Sequence, residues 1–437
     1  MSDDELGKRH HDSDEDSTMM VGEHPRRSPD GDLLVALGLA VGPAVALGLA
    51  RFAYALLLPP MRSSLHWSFA AAGAMNTANA AGYLVGALAA TTISRRWGAR
   101  RVFVGGVVAT GVFLLASAAT GSVPILLALR VLAGASGAAS FIVGGALAVQ
   151  LGHGKAPARG ALLLGVYFGG GGLGIALSGV AIPPLLARLG PAAGWRWGWV
   201  LLAVVTALSV LAAAPAARHT PEPAARQRHE GFPIRTIAVV LVGYTVFGAG
   251  YIAYMTFIVA YLQAGGAGTA EVSAFWVVLG VAAIGGGFGW GPMLGRLRGG
   301  RGPAVLMGVV TVGALLPLLT HAIPVAFASA LLFGASFLAV VPAVTTVART
   351  ALRPDQWTAA IATLTTGFAL GQCLGPVLAG ALADSAAGVR AGLLLSVIIL
   401  AVGAVVCVAQ PVQSPDDQRA PETGPPMTTS TSAKAAK

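Results

Sequence analysis

Twelve long apolar blocks constrain this chain more than any other feature. They run at residues 33–58, 69–93, 102–120, 123–149, 160–186 and 195–214, and again at 235–262, 270–294, 303–320, 323–348, 356–382 and 388–409. About 20 apolar residues rising about 1.5 Å each cross a hydrocarbon core of about 30 Å. Lipid offers the backbone no hydrogen-bond partner, so such blocks must be helices or strands of a closed barrel, and length without alternation selects helices. The expected fold is an all-α membrane protein with twelve transmembrane helices. Only 11% of the 437 residues are charged and 55% are hydrophobic, against roughly 25% charged in a soluble domain, which excludes a soluble globule. The 59 glycines suit helices that approach closely in lipid.

A net charge of +10 raises the question of nucleic acid, but that role needs basic residues gathered on one soluble face. Here they are scattered between apolar blocks, and no nucleic-acid partner is expected. Their distribution reports orientation instead, because short cytoplasmic loops retain Lys and Arg. One set of loops carries fifteen, among them Arg95, Arg96, Arg100, Arg101, Lys155 and Arg301, and the opposite set carries four, Arg62, Arg188, Arg196 and Arg390. Both termini are therefore expected in the cytoplasm. Ala, Gly and Arg are abundant and only four Lys occur, which suggests a bacterial chain and hence the bacterial inner (plasma) membrane. Trp67, Trp195, Trp197, Trp199 and Trp357 stand at block ends, as an interfacial belt requires.

Residues 1–32 hold ten carboxylates and no apolar run, and residues 410–437 are rich in Pro, Ser and Thr, so both read as disordered cytosolic tails. No cleavable signal peptide is seen. Cys373 and Cys407 both lie in apolar stretches, which leaves neither a disulfide framework nor a cysteine metal site. No cofactor is expected.

The chain repeats itself after about 200 residues. Gly134-Ala135-Ser136 returns as Gly334-Ala335-Ser336, Leu173-Gly174 with Leu177 and Gly179 returns as Leu374-Gly375 with Leu378 and Gly380, and Arg96 with Arg101 returns as Arg296 with Arg301. These matches divide the chain into a six-helix bundle at 33–214, a cytosolic linker at 215–234 and a second six-helix bundle at 235–409. Two related bundles with a site between them is the plan of a rocking transporter.

Leu126, Arg130, Gly134, Gly137 and Ala139 resemble the fourth-helix pattern of the major facilitator superfamily, an arginine followed by spaced glycines. The turn Arg95-Arg96-Trp97-Gly98-Ala99-Arg100-Arg101 is similar to that family's basic turn between helices two and three, without the aspartate the family carries there. The run Gly48-Leu49-Ala50-Arg51-Phe52-Ala53-Tyr54, with Leu57, Leu58, Pro59 and Pro60 behind it, looks like the bacterial YbfB/YjiJ-type subgroup. The resemblance implies the major facilitator fold and transport by alternating access. Glycines 169–172, with Gly174 and Gly179, are similar to the glycine-rich fifth helix of family antiporters, although the proline that usually follows is absent. A phosphate-cradling loop would need a preceding strand and a following Lys, so tight helix packing is the reading for these glycines.

Ionisable residues inside spans are costly and become functional candidates. Arg51 and Arg130 are the two basic side chains well inside blocks, and no Asp or Glu occurs between Asp32 and Glu222. At about 1.5 Å per residue Arg51 lies about 27 Å from the inner end of its block and Arg130 about 10 Å from the outer end of its own, so both are expected in the outer half. A buried guanidinium without a counter-ion needs carbonyls, water or an anionic ligand. The ligand is preferred. The alternative has Arg51 snorkelling outward and Arg130 bracing helix ends through carbonyls. Tyr54 is one turn from Arg51, Asn76 and Asn79 share a face with Tyr83, and Tyr251 and Tyr254 share one with Tyr244 and Tyr261. With Gln372, these residues are expected to wall a cavity with a cationic first half and a tyrosine-rich second half. An aromatic stripe also serves packing, and Asn side chains also join membrane helices.

The leading reading is a secondary active or facilitative transporter of a small organic solute, anionic in preference, acting as a monomer in the lipid bilayer. The alternative within transport is efflux of lipophilic or cationic compounds. An integral membrane enzyme would need nucleophiles, carboxylates or metal ligands clustered at one depth, and the eight histidines lie in tails, loops and block ends. A non-transporting sensor would need a further folded domain.

Overall fold

The computed structural model describes residues 29–223 and 231–413. The expected tails at 1–32 and 410–437 fall mostly outside the described residues, and so does the middle of the linker. The described residues form helices α1 (Asp30–Leu65), α2 (Phe69–Trp97), α3 (Ala99–Ala118) and α4 (Val123–Gly152). A single helical run, Pro157–Arg218, follows, broken at Gly190 (φ +69°) into α5 (157–189) and α6 (191–218). Then come α7 (Ala238–Ala264), α8 (Thr269–Gly289), α9 (Arg301–Leu319), α10 (Ile323–Ala351), α11 (Trp357–Ala383) and α12 (Gly388–Val408). By length and composition, ten of these runs suit a membrane span. One of the ten is the double helix, and α2, which carries Asn76, Thr77 and Asn79, is long enough but less apolar. Short connections make successive helices antiparallel, so α1 begins where α12 ends, on a face rich in Arg. We call this the basic face and its opposite the far face.

α1 differs most from expectation. It continues to Leu65, beyond the predicted end at 58, which brings Arg51 closer to the middle of the helix while leaving it in the outer half. Residues Ala44–Phe52 form a π-helical stretch, in which Ala53 N–H reaches back five residues to the Gly48 carbonyl at 2.9 Å. Pro43 opens the stretch and lacks an amide donor. Wide turns of this kind are rare and cluster at functional sites; this one carries Arg51.

Helices α1–α6 pack on one another through α2 with α4, α3 with α4 and α6, and α1 with α5. Helices α7–α12 do so through α7 with α11 and α12, α9 with α10 and α12, and α8 with α10. The two groups meet along α2 with α11 and α5 with α8. The repeat is visible at the contacts themselves. Gly86 lies against the Ala135 backbone, and Gly286, 200 residues on, lies against the Ala335 backbone; Gly174 meets Gly48, and Gly375 meets Ala249. A Cβ at any of these positions would strike main chain. In lipid, where apolar side chains gain little by leaving their solvent, such close approach is what holds helices together.

The seam is closed at the far face. Asp384, just past α11, accepts hydrogen bonds from the first amides of α2, Phe69 N at 2.7 Å and Ala70 N at 2.9 Å. A carboxylate at a helix N-terminus satisfies orphan donors and meets the positive end of the helix dipole. Beside it the Arg62 guanidinium lies 3.7 Å from the centre of the Phe69 ring. On the other flank Ser273 donates to the Gly179 carbonyl at 2.6 Å and Trp276 Nε1 donates to Ser178 Oγ at 3.1 Å. At the basic face the carboxylate absent from the 95–101 turn has a local replacement. Glu222, from the start of the linker, accepts from Ala99 N at 2.8 Å and Arg100 N at 3.2 Å, capping α3. Lys155 likewise pairs with Asp32 at 2.6 Å, fixing the α4–α5 loop to the start of α1.

Two outcomes are expected. Gly286→Val should lower stability by about 1–3 kcal/mol, the usual cost of overpacking, whereas Gly105→Ala, with nothing within 4 Å of the new methyl, should leave it unchanged; thermal unfolding followed by size-exclusion chromatography measures both. Asp384→Ala should loosen the far-face seal by about 1 kcal/mol, a population change of about fivefold. In a Cys407→Ala background this should appear as a comparable rise in the rate at which a maleimide labels Cys373, which lies on the seam with its carbonyl held by Thr77.

Candidate functional site

The π stretch of α1 delivers Arg51 to the middle of the seam, with 1% of its surface exposed. Its Nη2 donates to Gln372 Oε1 on α11, joining the two halves. Gln372 Nε2 in turn donates to the Tyr251 hydroxyl on α7 at 2.8 Å. The guanidinium lies 5.5 Å from the centre of the Tyr83 ring on α2, a cation–π contact that offsets part of the lost hydration. Arg51 Nε is buried and has no hydrogen-bond partner.

Arg130 occupies a neighbouring position inside the first half. Nη2 donates at 2.6 Å to the carbonyl of Ala50, in the π stretch in the middle of α1 rather than at a helix end. The guanidinium lies 5.4 Å from the Tyr54 ring and 5.2 Å from the Trp199 ring, while Nε and Nη1 have no partner. Tyr54 stacks on Trp199 and donates to the Ala72 carbonyl at 2.8 Å. Asn79 Nδ2 donates to the Arg130 carbonyl at 3.3 Å, and Asn76 Nδ2 crosses the seam to Thr256 Oγ1 at 2.6 Å, leaving its own Oδ1 without a partner. No salt bridge joins either arginine to a carboxylate among the described residues.

Of the eight residues singled out in the sequence, Arg51, Asn76, Tyr251 and Gln372 meet at the seam, and Arg130, Tyr54 and Asn79 lie next to Arg51 within the first half. Tyr254 is not brought to this group. Its hydroxyl pairs with Ser329 of α10 at 2.7 Å and its ring stacks on Phe333, inside the second half. Three residues turn a helix through about 300°, enough to carry Tyr254 off the face that presents Tyr251. Tyr251 instead belongs to a column with Phe247, Tyr244 and Phe368, the last pair stacked at 4.4 Å.

Sequence reasoning missed Thr256 and Phe368, and it placed Trp199 in the interfacial belt. Trp199 and Trp195 are 0% and 1% exposed, while Trp197 is 55% exposed, so the belt reading fits Trp197 and not its neighbours. Their alternation, read at helical spacing, was the available signal for two buried rings beside one outward ring. The expected cavity is closed here, because Arg51, Gln372 and Tyr251 fill the centre of the seam with at most 4% of their surfaces exposed. Two cavities, of about 170 and 330 Å³, open nearer the far face, and neither is lined by Arg51 or Arg130. Among the described residues no group of three or more His, Cys, Asp or Glu forms a metal-binding cluster.

Comparison with known proteins agrees with this fold. Solved structures similar to the chain include a bacterial homologue of the human lysosomal transporter Spinster in its inward-facing, unoccupied conformation, at 15% identity and a TM-score of 0.67, covering 87% of this chain and 97% of that one. The nucleoside transporter NupG is similar at 13% identity and a TM-score of 0.68, covering 86% and 99%. A chloramphenicol resistance protein of Streptomyces lividans is 31% identical over 183 residues, which span 40% of this chain and 44% of that protein. Residues 43–408 match the family described as "Uncharacterised MFS-type transporter YbfB". The chain thus belongs to that family, and it is a multi-pass membrane transporter of the major facilitator superfamily for a small-molecule solute.

Proposed function

We propose that the solute is a small organic anion, and that residues 33–214 and 235–409 rock against each other about the 215–234 linker to expose the site to alternate faces. One observation carries this reading: Arg51 at the seam and Arg130 beside it in the first half are buried, and three of their N–H-bearing nitrogens have no partner. A guanidinium stays charged at every accessible pH, and its burial is costly until an acceptor is supplied. The proposed site is walled by Arg51, Arg130, Tyr54, Asn76, Asn79, Tyr251 and Gln372, with Tyr83 added and Tyr254 left out.

The fifteen-to-four split of basic residues between the faces supports a cytoplasmic basic face and cytoplasmic termini. Composition supports the plasma membrane of a bacterium. A monomer suffices, because both walls of the proposed site come from one chain, and membership of a transporter family supports transport over enzymatic chemistry or nucleic-acid binding. Among the described residues no carboxylate pairs with Arg51 or Arg130, so energy is proposed to come from the solute gradient, from exchange, or from a proton carried on the solute.

Efflux of lipophilic or cationic compounds is the second reading, supported by the aromatic column at Tyr244, Phe247, Tyr251 and Phe368 and by the partial likeness to a chloramphenicol resistance protein. Two uncompensated positive charges oppose a cationic cargo.

Counterflow in proteoliposomes across a panel of organic anions tests the proposal. Arg51→Gln is expected to cut anion flux at least tenfold, and Arg51→Lys, which keeps the charge but loses the planar fork, to cut it less. Flux at the wild-type rate in Arg51→Gln for every anion would overturn the anion site and leave the family assignment intact.

A further inference from the structure

The bond from Arg51 to Gln372 is chemically unusual. It joins the halves at the centre of the seam, yet it gives a buried charged donor only a neutral amide oxygen. Gln372 is itself oriented, since its Nε2 donates to Tyr251 and turns the oxygen towards Arg51. An amide oxygen is a planar acceptor of nearly the same size and geometry as one oxygen of a carboxylate, but hydrogen bonds to an ionised acceptor are roughly twice as strong. Nε–H and Nη2–H lie side by side on one edge of a guanidinium, the edge that takes a carboxylate through two parallel bonds. In this structure Gln372 holds Nη2 and the adjacent Nε stands open.

The geometry points to Gln372 as a tethered stand-in for the carboxylate of the solute. An incoming carboxylate displaces Gln372 Oε1, takes Nη2 and Nε of Arg51 together, and in doing so breaks a bond between the two halves. The inference rests on the anionic-solute reading above and narrows it to monocarboxylates with an apolar or aromatic body, because the Tyr83 ring faces Arg51 and Gln372 bonds Tyr251, whose ring stacks on Phe337. It also gives Gln372 two roles, as competitor and as coupling element. While the bond is made, Arg51 is unavailable, and the apparent affinity falls by the fraction of molecules in which it is free.

Calorimetric titration of the purified full-length protein in lipid nanodiscs, with benzoate, phenylacetate and acetate as probes, tests this. Benzamide serves as the uncharged control and inorganic phosphate as a tetrahedral anion. Wild type is expected to bind an aromatic carboxylate and neither benzamide nor phosphate. Gln372→Met, of similar shape but without the acceptor, should bind that carboxylate at least threefold more tightly, and so should Gln372→Ala. Gln372→Glu should lose binding, because its own carboxylate occupies Arg51, while melting at or above the wild-type temperature without ligand.

Weakened binding in both Gln372→Met and Gln372→Ala would overturn the proposal by making Gln372 an ordinary contact. Wild-type affinity in Gln372→Glu, a preference for phosphate, or no response to any of the three carboxylates would overturn it too. Those outcomes leave the broader anion reading standing, which fails separately if Arg51→Gln transports every anion as wild type does.

Discussion

A guanidinium buried without a carboxylate is the constraint on which the centre of this transporter depends. Neither Arg51 nor Arg130 can shed its charge, and between Asp32 and Glu222 the first half holds no acid to pair with them. The protein meets the cost piecemeal. Rings of Tyr83, Tyr54 and Trp199 face the two cations, and the Ala50 carbonyl and the Gln372 amide each accept one hydrogen bond. Each is weaker than a carboxylate would be, and several donors remain open. A paired salt bridge would be a stable end state with little affinity left for a solute. Incomplete compensation keeps the site receptive to an acceptor from outside.

The architecture around the arginines is arranged so that this deficit lies between moving parts. Within each half, glycines let helices approach to backbone contact, as at Gly86 with Ala135 and Gly286 with Ala335. Such contacts tolerate little displacement. Between the halves similar close contacts, Gly73 on Pro376 and Gly172 on Gly280, are joined by polar ones: Asp384 at the start of α2, Thr77 on the Cys373 carbonyl, Asn76 on Thr256 and Arg51 on Gln372. Hydrogen bonds of this sort can be exchanged for others at small net cost. Bonds between the halves that can be exchanged are what alternating access requires.

Much of this was legible in the sequence, for identifiable reasons. Span positions follow from the length of apolar runs, and the duplication from offsets of 200 and 201 residues, because both properties are local or periodic. Arg51, Arg130 and Gln372 stood out because polar groups are rare in such blocks. Their partners did not, because which side chains meet depends on helix rotation. Tyr254 shares a sequence stripe with Tyr251 yet turns towards Ser329, and Thr256 is one hydroxyl among many until it is found opposite Asn76. The π turn at Ala44–Phe52 shifts the register of α1 midway, and no composition signal announces it. Asp384 read as an acid at a block end because its partner is the α2 backbone, 315 residues away from it in the chain.

The central claim is that the two buried arginines await an anion at the seam, and the most direct test is to see one there. Anomalous diffraction from crystals of the full-length protein grown with 4-bromobenzoate would locate the bromine without ambiguity. The account predicts a bromine peak between α1, α2, α7 and α11, with the carboxylate within hydrogen-bond distance of Arg51. A peak only outside the seam, with Arg51 and Arg130 unchanged and still without an acceptor, would contradict it.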